Sequence, residues 1–272
     1  MPTLRDYGAA TARVARRAVK RPRLGHDERV VFVIGCPRSG TTFVGRALGS
    51  QPGFVDLGEV TPWKAALPAL AMRPVGESAQ ELRRILERVR LLGLAYGLRG
   101  VEQTPETSHV LEAALAAYPE GLAVHSLRDG RDVVCSLLDR GWLSADRSGA
   151  DDAAQAYGPH ARFWVEPERR DEFPRVSDAR RCAWAWRRYV EAARSASPTR
   201  ALELRYERLA ADPGGAANEL AVFLHSEPAA LHAAFDAFRD TSIGRWQRDL
   251  VPEQLADVET EAGALLAELG YI

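Results

Sequence analysis

The chain has little of what marks several large protein classes. Its 272 residues include only three cysteines, Cys36, Cys135 and Cys182, scattered along the sequence. They offer neither the CxxC steps of a zinc site nor the density of a secreted disulfide scaffold, which suits a reducing compartment. No run approaches the roughly 18 uninterrupted apolar residues of a membrane-spanning helix, and the first residues lack the apolar core of a signal peptide. An excess of charge of either sign is missing too, since 36 Lys and Arg stand against 37 Asp and Glu, a formal net charge of −1. No whole-molecule field therefore recruits nucleic acid or an anionic membrane, and any anion must be met locally. These absences predict a cytoplasmic protein with no transmembrane segment and no nucleic-acid partner; its oligomeric state stays open.

Internal repeats and low-complexity tracts are also absent, and a chain of this length can bury one large core. Residues 1–28 read as a basic arm, solvated or weakly amphipathic, and residues 29–272 as a single domain. Arg29 to Gly35 (RVVFVIG) is a β-branched and aromatic run ending in glycine, the pattern of a strand buried on both faces. Gly121–Leu127 and Arg200–Tyr206 have the same character, and Leu98–Gln103 is a weaker fourth run. Between Ser78 and Tyr96, Leu82, Ile85, Leu86, Val89 and Leu92 recur at helical spacing. Strands alternating with helices predict an α/β fold of P-loop type: a central parallel sheet of four to five strands with helices on both faces. Leu143–Ser177, with Tyr157, Phe163 and Trp164, reads as a lid-like loop or as a surface insertion with one helix of its own. The run from Asp178 to Ser197 reads as a helix capped by its Asp. Within it Trp184 and Trp186, two apart, cannot share one face, so one of them is expected at a cleft or lid contact.

The first strand runs directly into Cys36-Pro37-Arg38-Ser39-Gly40-Thr41-Thr42 and then a helical Phe43-Val44-Gly45-Arg46. A glycine-containing turn between a buried strand and a helix N-terminus aims unpaired N–H groups and the positive end of the helix dipole at one spot, which favours phosphate. Ser39, Thr41 and Thr42 add hydroxyls, and Arg38 adds a fork suited to a pair of phosphate or sulfate oxygens. The spacing Gly35-x4-Gly40 invites a Walker A reading, but Thr41 stands where that motif requires Lys. A P-loop kinase or NTPase remains the rival, weakened by that residue.

The PRSGTT turn resembles the 5′-phosphosulfate loop of the sulfotransferase superfamily that uses 3′-phosphoadenosine 5′-phosphosulfate (PAPS). A second strand end, Leu127-Arg128-Asp129-Gly130-Arg131-Asp132-Val133-Val134-Cys135-Ser136, resembles the family's 3′-phosphate segment, with Arg128 and Ser136 as the clasp. Arg131 reads instead as a surface salt bridge to Asp129 or Asp132. Leu204-Arg205-Tyr206-Glu207 is similar to the family's RYEDL-type strand end, whose tyrosine approaches the adenine, and Ser242-Ile243-Gly244-Arg245-Trp246 to its GRW closing segment. The resemblance implies that Arg38, Ser39, Gly40, Thr41, Thr42, Phe43, Arg128, Ser136, Tyr206 and Arg245 bind the nucleotide, with Arg239 a weaker partner and no metal required.

Sulfuryl transfer is in-line and asks the protein to align two oxygens, neutralise the leaving phosphate and accept the attacking hydroxyl's proton. Glu59, in FVDLGEVTP, follows an extended return from the helix after the anion loop; it resembles the GE base of the tyrosylprotein and carbohydrate branches. His109 is the alternative base. Val101-Glu102-Gln103-Thr104-Pro105 resembles the family's KTP stretch but carries Gln103 in place of the lysine. The bridging-oxygen role then falls on Arg38 or on a residue still to be placed. Together these readings predict sulfuryl transfer from PAPS to a hydroxyl of a small-molecule, carbohydrate or lipid acceptor, with Arg38 and Glu59 catalytic. A non-catalytic module that binds the nucleotide is the other alternative.

Overall fold

The structure, a computed structural model, describes residues 7–18, 28–92, 97–144, 162–195, 199–239 and 241–272. In chain order it contains α1 (Gly8–Ala18), β1 (Val31–Ile34), α2 (Thr41–Ser50), β2 (Phe54–Gly58), α3 (Thr61–Leu70), α4 (Val75–Leu92), β3 (Arg99–Glu102), α5 (Leu111–Ala117), β4 (Leu122–Leu127) and α6 (Gly130–Arg140). There follow α7 (Asp178–Arg194), β5 (Ala201–Arg205), α8 (Tyr206–Ala211), α9 (Pro213–Leu224), α10 (Ala229–Asp236), α11 (Trp246–Asp249) and α12 (Pro252–Glu268). The five strands form one sheet in the order β2-β3-β1-β4-β5, every neighbouring pair parallel. The four apolar runs are thus strands, and β2, the extended return before Glu59, is the fifth.

Strand β1 sits at the centre because both of its faces are apolar. Val30, Phe32 and Ile34 enter a core with α1, α3, α4 and α5, whereas Val31 and Val33 enter another with α2, α9 and α10. A third cluster, built on α6, α7 and α12, closes over Leu127. With helices on both faces, parallel pairing sets the carboxyl ends of β1, β2, β4 and β5 along one edge, where open α/β sheets bind ligands.

Residues 7–18 of the basic N-terminal segment are not a solvated arm. Val14, Tyr7 and Ala10 of its helical part are buried in the first core. Arg13 pairs with Asp56 at 2.9 Å, and Arg17 donates to the carbonyls of Phe54, Ser50 and Gln51. Strand β2 would otherwise present an open sheet edge, and α1 covers it. The apolar side of the helix therefore decided its position, and its arginines found carbonyls beneath.

Helix α7 is capped by Ser177, whose Oγ accepts from the Arg180 N–H at 3.1 Å, rather than by Asp178, which pairs with Arg181. Both tryptophans are fully buried. Trp184 meets Phe173 edge-on and donates Nε1–H to Glu166 at 2.6 Å, so its partners come from the carboxyl half of the long loop. That half, residues 162–177, packs as short 3-10 turns; residues 145–161, with Tyr157, lie outside the described part.

Candidate active site

The turn after β1 is shaped by three residues with positive φ: Gly35 at 133°, Arg38 at 73° and Gly40 at 94°. A Cβ on Gly35 would stand 2.4 Å from the Ser126 carbonyl oxygen, and one on Gly40 2.8 Å from the Tyr206 ring. Only glycine fits at either place. Ser126 Oγ donates to the Ser39 carbonyl at 2.6 Å, and Ser108 Oγ accepts from the Gly35 N–H at 3.1 Å, so the turn is pinned from β4 and from the 3-10 turn Pro105–Val110. Gly40 occupies the cap position of α2 without a side-chain cap, leaving the first N–H groups of the helix directed at the turn's concave side.

Arg38 and Arg128 come from different strand ends and meet over this turn. Arg38 Nε donates to Ser136 Oγ at 2.9 Å, which joins the turn after β1 directly to the segment after β4. Arg128 donates to the carbonyls of Arg38, at 3.3 Å, and Ser242, and its guanidinium lies 4.4 Å from the Tyr206 ring centre. Burial, then the charges of Arg140 and Arg128, push the Arg38 guanidinium below the ordinary arginine range. Two crowded cations in a chain of net charge −1 make a local site for an anion.

A cleft of about 440 Å³ opens here. Of the ten residues expected at the nucleotide, nine line it: Arg38, Gly40, Thr41, Thr42, Phe43, Arg128, Ser136, Tyr206 and Arg245. Ser39 does not. Its side chain is buried and its N–H is used within the turn, on the Cys36 carbonyl at 3.1 Å, so it shapes the loop instead. Arg239 also lines the cleft. Phe238, which sequence reasoning passed over, packs edge-on against both Phe43, at 5.1 Å, and Tyr206, at 4.7 Å, completing an aromatic wall. Its spacing from Phe235 reads as ordinary helix core, so only the tertiary contact reveals it.

The junction after β4 also sets the closing segment. Asp132 accepts from the N–H groups of Gly244, at 2.8 Å, and Trp246, at 3.1 Å, bringing Ser242 and Arg245 to the cleft. Arg245 is itself tied to Asp139 and Asp249. Arg131 does pair with Asp129, at 2.7 Å, but it is buried: it donates to the Tyr271 carbonyl and stacks on Trp246. It is a staple for the C-terminus, not a surface ion pair. Behind Arg128, Trp186 Nε1 donates to its carbonyl at 3.0 Å and the indole lies flat on Gly130.

On the other side of Arg38 a small cavity of about 70 Å³ is lined by Pro37, Arg38, Thr41, Thr42, Glu59, Lys64, Pro105, Glu106 and Trp142. Glu59 reaches it because the register of β2 on β3 shifts between Asp56 and Gly58, a bulge that re-aims the residues after it. Lys64, another residue that sequence reasoning missed, bonds Glu59 at 3.0 Å and Glu106 at 3.1 Å. Gln103 is turned away: its amide lies against Gly45 of α2. Glu102, fully buried at the end of β3, accepts from the Thr104 N–H at 3.0 Å, and burial raises its carboxyl to about 8. His109 is not brought to this site. It is packed edge-on against Tyr189, at 4.5 Å, and Phe163, and lines a separate cavity with Arg188 and Glu191. Burial lowers its pKa to about 3. The structure therefore unites Arg38 and Glu59 and leaves His109 apart.

Among the described residues no helix is long and apolar enough to cross a membrane. The model of the Sulfotransferase family matches residues 75–228, from α4 through α9, which contain Arg128, Ser136 and Tyr206 but not the turn after β1. The fold is similar to the sulfotransferase domain from the curacin biosynthetic pathway, at 14% identity and a TM-score of 0.57, covering 89% of this chain and 98% of that one. A sulfotransferase from Mycobacterium avium is similar at 14% identity and a TM-score of 0.53, with 97% and 84% covered. The sulfotransferase domain of the Synechococcus olefin synthase matches at 16% identity and a TM-score of 0.50, with 89% and 97% covered. No curated protein matches the chain by sequence.

Proposed function

The chain belongs to the sulfotransferase family, and on that premise we propose that its cleft binds PAPS and that the protein moves the sulfuryl group to a hydroxyl of a small-molecule, carbohydrate or lipid acceptor. The observation that carries this reading is the Arg38 to Ser136 bond at 2.9 Å, with Arg128 at its back. One strand-to-helix turn gives a site for one phosphate; two turns sharing a cation give a site for a ligand with two. In this reading the phosphosulfate rests on the turn 35–42, the 3′-phosphate on Arg128, Ser136 and Arg245, and the adenine on the wall of Phe43, Phe238 and Tyr206.

The acceptor oxygen bonds to sulfur as the sulfur's bond to the bridging oxygen breaks. Glu59 takes the hydroxyl proton, and the electron pair of the broken bond stays on the phosphate of the departing 3′-phosphoadenosine 5′-phosphate (PAP). Arg38 neutralises that phosphate, aided by the N–H groups at the start of α2. The 70 Å³ cavity is consistent with the assignment, since about 10–15 Å³ suffices for one water and the space is large enough for a sulfuryl group beside Arg38 and Glu59.

Two measurements test the proposal: calorimetric binding of PAP against ATP with magnesium, and transfer of radiolabelled sulfate from PAPS to a phenol, a hexose and a long-chain alcohol without added metal. Tight PAP binding with transfer is expected. Preference for ATP with magnesium would replace the reading with a kinase or NTPase, and PAP binding without transfer over a broad panel would reduce it to a binding module.

A further inference from the structure

A general base must be held at its substrate, and Glu59 is poorly held by its own backbone. It follows Gly58, whose φ is 71°, precedes α3, and leaves its side chain 42% exposed. A glutamate in that setting keeps most of its rotamer freedom, and that freedom is lost when the side chain is fixed. Lys64 offers the missing hold. It lies one turn into α3 with its side chain only 6% exposed, its ammonium bonded to Glu59 at 3.0 Å and to Glu106 at 3.1 Å. Glu106 is 1% exposed and belongs to the 3-10 turn whose Ser108 supports the anion loop. The carboxylate farther from solvent therefore fixes the lysine, and the lysine fixes the carboxylate that faces the cavity.

We propose that Lys64, anchored by Glu106, is the positioning residue of the catalytic base, orienting Glu59 toward the sulfuryl cavity much as a third group orients the base of a nucleophile pair. The inference rests on the sulfotransferase reading of this site. It also explains how the cavity is charged with Gln103 turned onto α2. The titratable groups facing Glu59 are Arg38 from the anion loop, Lys64 from α3, Glu102 from β3 and Glu106 from the 3-10 turn. Of these only Lys64 has a bond to it. The competing account makes Lys64 a counter-ion for buried Glu106 with no share in turnover.

A double-mutant cycle separates the two. Turnover is measured as PAP release from PAPS with the best of the phenol, hexose and alcohol, or with water, for wild type, Lys64→Met, Glu59→Gln and the pair, beside PAP affinity. A residue acting through Glu59 matters only while Glu59 is present. Lys64→Met should lower kcat about tenfold or more in the wild-type background and less than about twofold on Glu59→Gln, with PAP affinity within about threefold and partial recovery in Lys64→Arg. If Lys64→Met alone fails to fold because Glu106 is left as a buried charge, Lys64→Met with Glu106→Gln carries the same comparison. Equal loss in both backgrounds, or no loss in the first, overturns the inference and leaves the site reading intact. A wild type that releases no PAP overturns both.

Discussion

Replacing Arg128 with alanine tests the proposed two-phosphate site most sharply. The side chain is almost fully buried, lies over Tyr206, and donates to the carbonyls of Arg38 and Ser242. Its contact with the 3′-phosphate would be a charge-assisted hydrogen bond, worth about 1.5–3 kcal/mol, or about 10- to 150-fold in Kd. A second, smaller loss applies to any nucleotide, because the Arg38 carbonyl loses one donor; an ordinary hydrogen bond contributes about 0.5–1.5 kcal/mol. Calorimetry with PAP and with adenosine 5′-phosphate should therefore show a steep loss for the first and only a shallow one for the second. A Tm close to that of the wild type would exclude unfolding as the cause. Arg128→Lys, which keeps the charge but not the fork, should fall between. Equal losses for both nucleotides would refute the assignment of Arg128 to the 3′-phosphate.

Glu59→Gln keeps shape without basicity, so turnover should drop by the roughly 10²–10⁴ typical of lost acid–base help while PAP affinity holds within about threefold; more than a tenth of wild-type turnover would sink the role. His109→Asn, altering a ring packed on Tyr189 away from the cleft, should leave kcat within about threefold, and a large loss would restore His109 as base. Gly40→Ala forces a side chain into the left-handed region against Tyr206, which should lower stability by about 1–2 kcal/mol and weaken PAP; unchanged affinity would mean that the turn does not hold the nucleotide. Glu102 is raised from 4.5 to about 8, so the folded state prefers it protonated, and its contribution to stability is full below pH 4.5 and lost as pH rises towards 8. Glu102→Gln should thus narrow the Tm difference between pH 5 and pH 8.5, and an unchanged difference would deny that Glu102 is the group responsible.

Much of this architecture is written locally. A strand buried on both faces is apolar at nearly every position, so RVVFVIG announces the centre of a parallel sheet, β4 is buried at all but its first residue, and β5, at the sheet edge, is a mixed and partly exposed run. The anion loop is equally local: its glycines, its arginine and the helix N-terminus are contiguous, and their chemistry follows from backbone geometry alone. Arg128, Tyr206 and Glu59 become legible once parallel pairing is granted, because each follows a strand and parallel strands share their carboxyl edge.

Tertiary structure alone decided the rest. Lys64 looks like any helical lysine until α3 folds its ammonium between Glu59 and a glutamate from a distant turn. Phe238 looks like core until it stands between Phe43 and Tyr206. His109, plausible as a base by residue type, is disfavoured in its charged form because it is buried against Tyr189 of α7 and Phe163, beside Arg188. The basic arm turned into a cover for β2 because the apolar side of α1 outweighed its arginines in choosing where to pack. The sequence by itself determined which groups could bind an anion, through contiguous backbone and charge. Burial and the meeting of distant segments depend on the whole chain, and they determined which titratable groups keep their charge and face one another.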